Sequence, residues 1–270
     1  MDLDTQSLLG VIAVLIAGGA AAGLIAGLLG VGGGIVVVPM LYWLSPALGI
    51  DPVVALHVAI ATSLAVIIPT SISSMRAHAR RGGVDPALVR RWAPGVAIGA
   101  ATGGVAAGFL DGGVLAGVFG VVALIVAVNM ALPHTIVVAQ SLPASRAINA
   151  AFASTIGFIS ALMGIGGGTL SVPSLSLFGV PIHRAVGTAA VFGLVIAVPA
   201  VVGYVWGGWS VDGRPPFSLG YVSLPALLVL GLTTVLFAPF GARLAHSLNR
   251  LWLKRCFAVF LTITAVRMLI

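Results

Sequence analysis

The chain has 270 residues, of which 60% are hydrophobic and only 7% are charged. It therefore cannot cover the surface of a soluble protein, in which roughly 25% of residues are charged. Its net charge of +7 does not indicate nucleic-acid binding, because the basic residues fall in short segments between apolar stretches.

Ten apolar segments follow one another along the chain, and they predict an all-α polytopic membrane protein. The second and seventh segments are shorter than the roughly 20 residues with which a helix crosses a bilayer. Short segments of this kind are typical of broken or re-entrant helices that line a cavity. No basic residue precedes the first segment, so we expect it to be a membrane segment rather than a cleaved signal peptide. In chain order the segments are 8–29, 32–45, 52–73, 88–108, 112–132, 148–163, 166–179, 184–206, 221–241 and 251–270.

An internal repeat divides these segments into two sets of five. The stretch 28–39 aligns without gaps on 162–173, and seven of the twelve residue pairs are identical. Further along the chain, His57 matches His183. We therefore predict a single membrane domain made of two repeats and a connector. These units are the first repeat 1–132, the connector 133–147 and the second repeat 148–270.

The basic residues predict how the chain is oriented. The loop between the third and fourth segments carries five arginines, which the positive-inside rule places in the cytoplasm. Counting outward from this loop places the other basic clusters inside and both termini outside, as a multi-pass protein of the cell inner membrane. Because each repeat has an odd number of segments, the two halves insert in opposite directions, as in many secondary transporters. The five arginines are Arg76, Arg80, Arg81, Arg90 and Arg91.

Each repeat contains a glycine-rich break in its first helix pair. A run of glycines disfavours a helix, and unwound backbone in hydrocarbon needs partners for its N–H and C=O groups. Where a helix resumes after the break, its free amides and positive dipole end favour an anion. Two such breaks meeting near the midplane could bind one small anion without lysine or arginine, and close helix packing without a ligand is the alternative. The candidate amides are those of Gly32, Gly33, Gly34, Gly166, Gly167 and Gly168.

Polar side chains near the breaks are further candidates. Hydroxyl groups there could bind the oxygen atoms of the anion, although buried serines and threonines also bond to their own helix carbonyls. His57 and His183, with Arg184 beside the latter, could carry a proton or control access, and interfacial histidines are the alternative. Pro39 and Pro173 occupy matching positions and are expected to shape the two hairpins. The hydroxyl candidates are Thr62, Ser63, Thr188, Thr169 and Ser171.

The sequence lacks the groups that several other functions need. It has no glutamate, and no aspartate lies at the centre of a predicted segment, which disfavours a proton relay or a cation carrier. Cys256 is the only cysteine, which excludes an intrachain disulfide and a cysteine-based metal cluster. It shows no ATP-binding motif, and its five histidines are scattered. We therefore expect no catalytic residue, no metal and no cofactor.

The segments 27–34 with Pro39 and 164–168 with Pro173 resemble the motifs of the sulfite exporter TauE/SafE family of membrane anion permeases. The resemblance covers nearly the whole chain. It implies transport of sulfite or a small organosulfonate such as sulfoacetate, usually by export from the cytoplasm. A permease for a different small anion and a non-transporting membrane partner or assembly protein are the alternatives. The oligomeric state is left open.

Overall fold

The computed structural model describes residues 5–29, 32–131, 137–244 and 250–270. Within these ranges ten α-helices follow in the order of the ten predicted segments, which confirms the all-α fold class. The predicted connector 133–147 lies partly outside the described residues. The helices are α1 (Thr5–Leu29), α2 (Gly34–Leu44), α3 (Pro52–Ala79), α4 (Pro86–Ala106, extended by a 3-10 turn Ala107–Phe109), α5 (Gly112–Ala131), α6 (Arg146–Met163), α7 (Gly167–Leu177), α8 (Ile182–Gly207), α9 (Leu224–Leu244) and α10 (Arg250–Leu269). A short hairpin of β1 (Ser218–Leu219) and β2 (Val222–Ser223) precedes α9.

Four helices begin at a polar side chain that caps their first amides, and in α5 this is Asp111, which accepts a 2.9 Å hydrogen bond from the amide of Val114. Asp51 accepts from the backbone of Val53 at the start of α3, and Asp85 accepts from two amides at the start of α4. Ser145 does the same for α6. In α3 and α4 a proline follows the cap, where its fixed φ suits the first helical position. The loop sequences therefore define where these helices begin.

Helix lengths separate full membrane crossings from half-length helices. Six helices, α1, α3, α5, α6, α8 and α9, are long and apolar enough to cross a membrane. By contrast, α2 and α7 have 11 residues each and are about 16 Å long, roughly half of a hydrocarbon core. The two short predicted segments are therefore half-length helices rather than complete crossings.

Helices α4 and α6 pack closely through small residues. A Cβ at Gly99 of α4 would overlap the carbonyl of Ser154 in α6, and a Cβ at Gly157 would overlap Val96 in return. Within the same interface the indole of Trp92 donates a 3.1 Å hydrogen bond to the buried amide oxygen of Asn149. Close backbone approach with an interhelical hydrogen bond is the usual way in which membrane helices associate.

The interhelix contacts divide six of the helices into two sets, and the helices within each set are parallel to one another. Along α1 and α9, Gly19 lies beside Thr233 and Leu24 beside Gly241, so these helices run the same way. Helix α3 also runs parallel to α9, because it contacts Ser223 just before α9 and, two turns later, Thr234 within it. One set of parallel helices is therefore α1, α3 and α9.

The second set runs the opposite way. Gly95 and Gly103 of α4 contact Ala150 and Phe158 of α6, so these two helices are parallel. Helix α8 follows α4 in the same direction, with its residues 200 and 207 beside residues 104 and 108. It is antiparallel to α3, since Gly193 contacts residue 71, whereas residue 187, earlier in α8, contacts residue 83, which follows α3. Helices at equivalent positions in the two repeats therefore point in opposite directions. The pairs are α1 and α6, α3 and α8, and α4 and α9.

Candidate functional site

The two glycine breaks touch each other at the mid-length of the longest helix. Gly32 has a left-handed φ of 77°, and a Cβ there would lie 3.2 Å from the Cα of Gly166. These two glycines are equivalent in the sequence repeat, so the halves meet at matching points. Ile67, near the middle of the 28-residue helix α3, packs against Gly32. The breaks therefore meet deep in the bundle.

The neighbouring glycines leave no room for side chains. Gly33 has a φ of 73°, and a Cβ on it would lie 2.8 Å from the carbonyl oxygen of Ala22. A Cβ on Gly34 would overlap the carbonyl of Gly164, and one on Gly167 would lie 2.7 Å from a backbone nitrogen of α8. Because only glycine permits these approaches, main chain packs directly on main chain at the site.

The half-length helices both start at the breaks with uncapped amides. The N-cap residues are Gly33 for α2 and Gly166 for α7, and neither position has a side-chain cap. The first residues of these helices, Gly34, Gly167 and Gly168, are buried. The first amides of a helix have no intrahelical acceptor, and the dipole adds positive potential there. Two helix starts suited to an anion therefore lie inside the bundle.

A proline occupies the second turn of each half-length helix. Pro39 lies inside α2 and Pro173 inside α7. Since proline has no amide hydrogen, the carbonyls of Ile35 and Thr169 cannot receive the usual bond from four residues later. Each proline therefore leaves one carbonyl of its helix without the usual intrahelical partner, and the predicted role of the prolines in shaping the hairpins stays a prediction.

Ser63 links the two breaks. Its hydroxyl, fully buried on α3, donates a 2.7 Å hydrogen bond to the carbonyl oxygen of Gly164 in the second break. The same hydroxyl lies 2.9 Å from the position that a Cβ on Gly34 would take in the first break. Ser63 therefore contacts both turns and satisfies one of the carbonyls that the second break exposes. Its counterpart in the second repeat, Ala189, has no hydroxyl.

The matched threonines hold loops rather than the breaks. Thr62 accepts a 3.0 Å hydrogen bond from the amide of Ser223, just before α9. Thr188 accepts one of the same length from the amide of Asp85, just before α4. Both threonines are fully buried. Each pins the loop that enters an equivalent helix, so the expected anion-binding hydroxyls of this pair act on backbone amides in the structure.

Four buried hydroxyls on the second hairpin have no protein partner, and one of them is that of Ser176 in α7. Thr169 and Ser171 of α7, both predicted candidates, are 3% and 0% exposed, and neither makes a hydrogen bond. Ser160 of α6 is also fully buried without a partner. Its own carbonyl accepts from the amide of Ile165, which places it against the second break.

His57 is buried near the N-terminal end of α3. Its Nε2 donates towards the carbonyls of Ala107 at 3.2 Å and Leu110 at 3.0 Å, and its ring stacks on Tyr221 with centroids 4.9 Å apart. Burial raises the pKa of Tyr221, so its phenol is neutral at physiological pH. His57 lies six residues, or about 9 Å of helix, before Ser63. The predicted histidine is thus at the edge of the site and not between the glycines.

The second histidine has a different environment from the first. His183 is exposed at the start of α8, although the sequence repeat makes it the counterpart of His57. Arg184, next to it, has a side chain that is 56% exposed and lies 3.9 Å from the carboxylate of Asp85. An exposed pair at this distance contributes little stability. The structure therefore does not bring these two residues to the glycine breaks.

Sequence reasoning did not assign roles to the residues that link the loops to the core. Tyr204 of α8 donates a 3.3 Å hydrogen bond to the carbonyl of Ala161 beside the second break, and its ring packs edge-on against Tyr221. Tyr221 continues this contact to His57. A buried tyrosine needs a hydrogen-bond partner for its hydroxyl, so a tyrosine within an apolar segment is the sequence feature that could have identified Tyr204. The identity of that partner is a long-range contact that no local pattern encodes.

These features define the class of the protein, which is a multi-pass α-helical membrane protein with half-length helices meeting inside it, the build of a transporter. The chain belongs to the sulfite exporter TauE/SafE family, whose model matches residues 15–268. This confirms the resemblance that the glycine motifs carry.

Known relatives agree with the family assignment. A probable membrane transporter protein of Haemophilus influenzae is 33% identical over 253 residues, which are 93% of this chain and 95% of the relative. Probable membrane transporter proteins of Bacillus subtilis, named YunE, and of Methanocaldococcus jannaschii are 27% and 25% identical, with 88% and 95% of each chain covered. No solved structure gives a significant match. The protein is therefore a membrane transporter for a small substrate and not an enzyme.

Proposed function

We propose that this protein moves a small sulfur-containing oxyanion, sulfite or an organosulfonate, across the inner membrane, in the direction of export. The anion binds near the midplane to backbone amides of the two glycine breaks. The observation that carries this proposal is the direct contact of Gly32 with Gly166, which brings two uncapped helix starts together at the mid-length of α3. The description of the family as sulfite exporters supports the substrate class.

The proposal includes two halves of opposite orientation, 1–132 and 148–270, joined by the connector 133–147. It is supported by the opposite directions of α1 and α6, α3 and α8, and α4 and α9, which the interhelix contacts define. An inverted pair of helix hairpins brings both helix starts to one place, where their dipoles act on the same ligand.

The orientation places the loop that contains the five arginines in the cytoplasm and both termini outside. Thiol labelling from one side of the membrane tests this in a chain whose Cys256 is replaced by serine. The exposed Arg80→Cys should react with an impermeant maleimide only in inside-out vesicles, whereas the exposed Asp212→Cys should react only in intact cells. Labelling with the reverse pattern would overturn the orientation.

Transport by purified protein in liposomes tests the function itself. We expect vesicles that contain the protein to release sulfite faster than protein-free vesicles, with chloride as the control anion. Gly167→Leu should abolish this release, because even a Cβ at Gly167 would lie 2.7 Å from backbone in α8. Gly117→Leu is the matched control, since a Cβ at Gly117 meets nothing within 4 Å. Equal release by the Gly167 variant and wild type would exclude the glycine site.

Two other results would redirect the proposal. Transport of a different small anion in preference to every sulfur oxyanion would retain the site and replace the substrate. Liposomes impermeable to every anion tested, with a second protein co-purifying, would favour a role for this chain as one part of a larger transport assembly.

A further inference from the structure

The loop between α8 and α9, residues 208–223, covers the N-terminal end of α3 with an aromatic ring. The end of this loop is attached to α3 by the 3.0 Å hydrogen bond from the amide of Ser223 to the hydroxyl of Thr62. Two residues earlier in the loop, Tyr221 is 5% exposed, and its ring stacks on that of His57 with centroids 4.9 Å apart. The turn of α3 that carries His57 is therefore closed off by Tyr221.

This cover lies one helical turn from the second glycine break. Residues three apart lie on the same face of a helix, so Ile60 follows His57 on one face of α3. The Cα of Ile60 would lie 2.9 Å from a Cβ on Gly164, which belongs to the second break. The stacked rings are therefore about 5 Å along the helix axis from the place where the break packs on α3.

Tyr204 connects the cover to the break itself. The carbonyl of Ala161 accepts two hydrogen bonds, one of 3.4 Å from the amide of Gly164 and one of 3.3 Å from the hydroxyl of Tyr204. The ring of Tyr204 packs edge-on against Tyr221 with centroids 6.4 Å apart. A single side chain therefore joins the turn of the second break to the ring that covers α3.

An equivalent loop, residues 80–85, lies at the opposite end of the bundle. The amide of Asp85 before α4 is bonded to Thr188 of α8, as the amide of Ser223 before α9 is bonded to Thr62 of α3. Each loop therefore crosses from its own repeat onto the long helix of the other repeat. Alternating access in inverted-repeat transporters is a rocking of one repeat against the other, which opens such contacts at one end at a time.

The two loops carry different residues at one matched position. Two residues before the bonded amide stands Tyr221 in the loop 208–223 and Gly83 in the loop 80–85. A Cβ on Gly83 would lie 3.5 Å from the carbonyl oxygen of His183, so this glycine lies beside the counterpart of His57. His183 is exposed, whereas His57 is 5% exposed. The aromatic cover is thus present over one of the two matched histidines and replaced by a hydrogen atom over the other.

We propose that Tyr221, stacked on His57, is the outer gate of the transporter, which seals the path between the second break and the end of the bundle that carries Asp212. This inference rests on the proposed function, because the gate is defined by the anion site at the breaks. A stacked pair of rings presents apolar surface to the path, and an anion cannot cross it without losing its hydration. The gate opens when Tyr221 leaves His57 and uncovers the turn of α3 outside the break.

Labelling of a buried thiol tests the seal. Ala61 is fully buried on α3, one turn deeper than His57, and Ala61→Cys is made in the chain in which Cys256 is replaced by serine. A permanently charged methanethiosulfonate reagent is applied from the side that labels Asp212→Cys. We expect slow reaction while Tyr221 is present. Tyr221→Ala should make this reaction about tenfold faster or more, because loss of the ring raises the population of the open state.

Two further chains make the labelling test specific. Tyr221→Phe keeps the ring that makes the contacts with His57 and Tyr204, so it should keep the slow rate of wild type. Ala123→Cys, fully buried in the middle of α5, should react slowly with or without the Tyr221→Ala change. Equal rates for Ala61→Cys with tyrosine and alanine at position 221 would overturn the inference. So would an equal acceleration of Ala123→Cys, since the effect would then be general loosening.

A reversible bridge tests whether the gate must open. His57→Cys and Tyr221→Cys are combined in the same background, where the stacking of the native rings places the two side chains next to each other. Micromolar Cd²⁺ bridges neighbouring thiolates, so it should stop sulfite transport, and EDTA should restore it. Neither single-cysteine chain should respond. Undiminished transport while Cd²⁺ protects both thiols from a maleimide would overturn the inference.

Failure of the gate and failure of the proposed function give different results. Sulfite transport by wild-type protein, together with labelling that is insensitive to Tyr221→Ala, removes the gate and leaves the proposed function in place. Absence of any anion transport by wild-type protein removes both.

Discussion

Gly32→Ala isolates the contact between the two breaks, and the chain offers a matched control. Gly32 and Gly82 both have left-handed backbones, with φ of 77° and 66°. A Cβ on Gly32 would lie 3.2 Å from the Cα of Gly166, whereas a Cβ on Gly82 meets nothing within 4 Å. Alanine at either position costs roughly 1–2 kcal/mol for the backbone conformation alone. Only Gly32→Ala adds crowding against a neighbouring backbone.

The expected difference follows from that crowding. Forcing an extra methyl group into a closely packed site costs typically about 1–3 kcal/mol. We therefore expect Gly82→Ala to lower the free energy of unfolding by about 1–2 kcal/mol and Gly32→Ala by about 2–5 kcal/mol. Titration of the purified protein from mild detergent into SDS measures both values. Transport by the folded Gly32 variant should also decrease, while Gly82→Ala retains wild-type transport.

Equal destabilisation by the two alanine variants would refute this reasoning. It would mean that Gly32 is required only for its φ angle and that the approach of the two breaks contributes nothing. Wild-type transport by the Gly32 variant would show that the contact is unnecessary for movement of the substrate.

Three further predictions concern buried hydrogen bonds. Ser63→Ala leaves the carbonyl of Gly164 unpartnered and should lower the free energy of unfolding by about 1–3 kcal/mol in the same SDS titration; no change would show that water replaces the hydroxyl. Thr188→Val releases the amide of Asp85, so hydrogen exchange at this amide should accelerate while exchange in the middle of α8 stays slow. Uniform acceleration would indicate general loosening instead. Trp92→Phe removes the indole donor of a 3.1 Å bond and should destabilise the α4–α6 interface by about 1–3 kcal/mol, and an unaltered SDS midpoint would contradict this.

The helices were predictable because the bilayer imposes simple rules. Each apolar segment corresponds to a helix, and the break at the second glycine run is correctly placed, since α6 ends at Met163 and α7 begins at Gly167. The third helix is longer than predicted, because it continues past the apolar stretch to Ala79 through polar residues that need no hydrocarbon. Hydropathy reports what lies in lipid and not where a helix stops in water.

The candidate site was predictable only in part. The glycine breaks were evident because a helix rarely tolerates such runs in a membrane. The partners of the hydroxyls were not evident, since Thr62 bonds to a residue 161 positions away and Thr188 to one 103 positions away. Pattern alone shows that a threonine is buried, and only the fold shows which amide it meets. His57 and His183 occupy equivalent sequence positions in unlike surroundings for the same reason.

The contact between Gly32 and Gly166 also determines how easily the two glycine breaks can separate. The contact is made by main-chain atoms without side chains. Glycine exposes almost no apolar surface when it leaves such a contact, so at about 25 cal/mol per Å² the hydrophobic penalty of separation stays well below that of an interlocked leucine. The two breaks can thus separate at little hydrophobic cost, and the contacts that hold the halves together lie elsewhere, as in the α4–α6 interface with its hydrogen bond from Trp92 to Asn149.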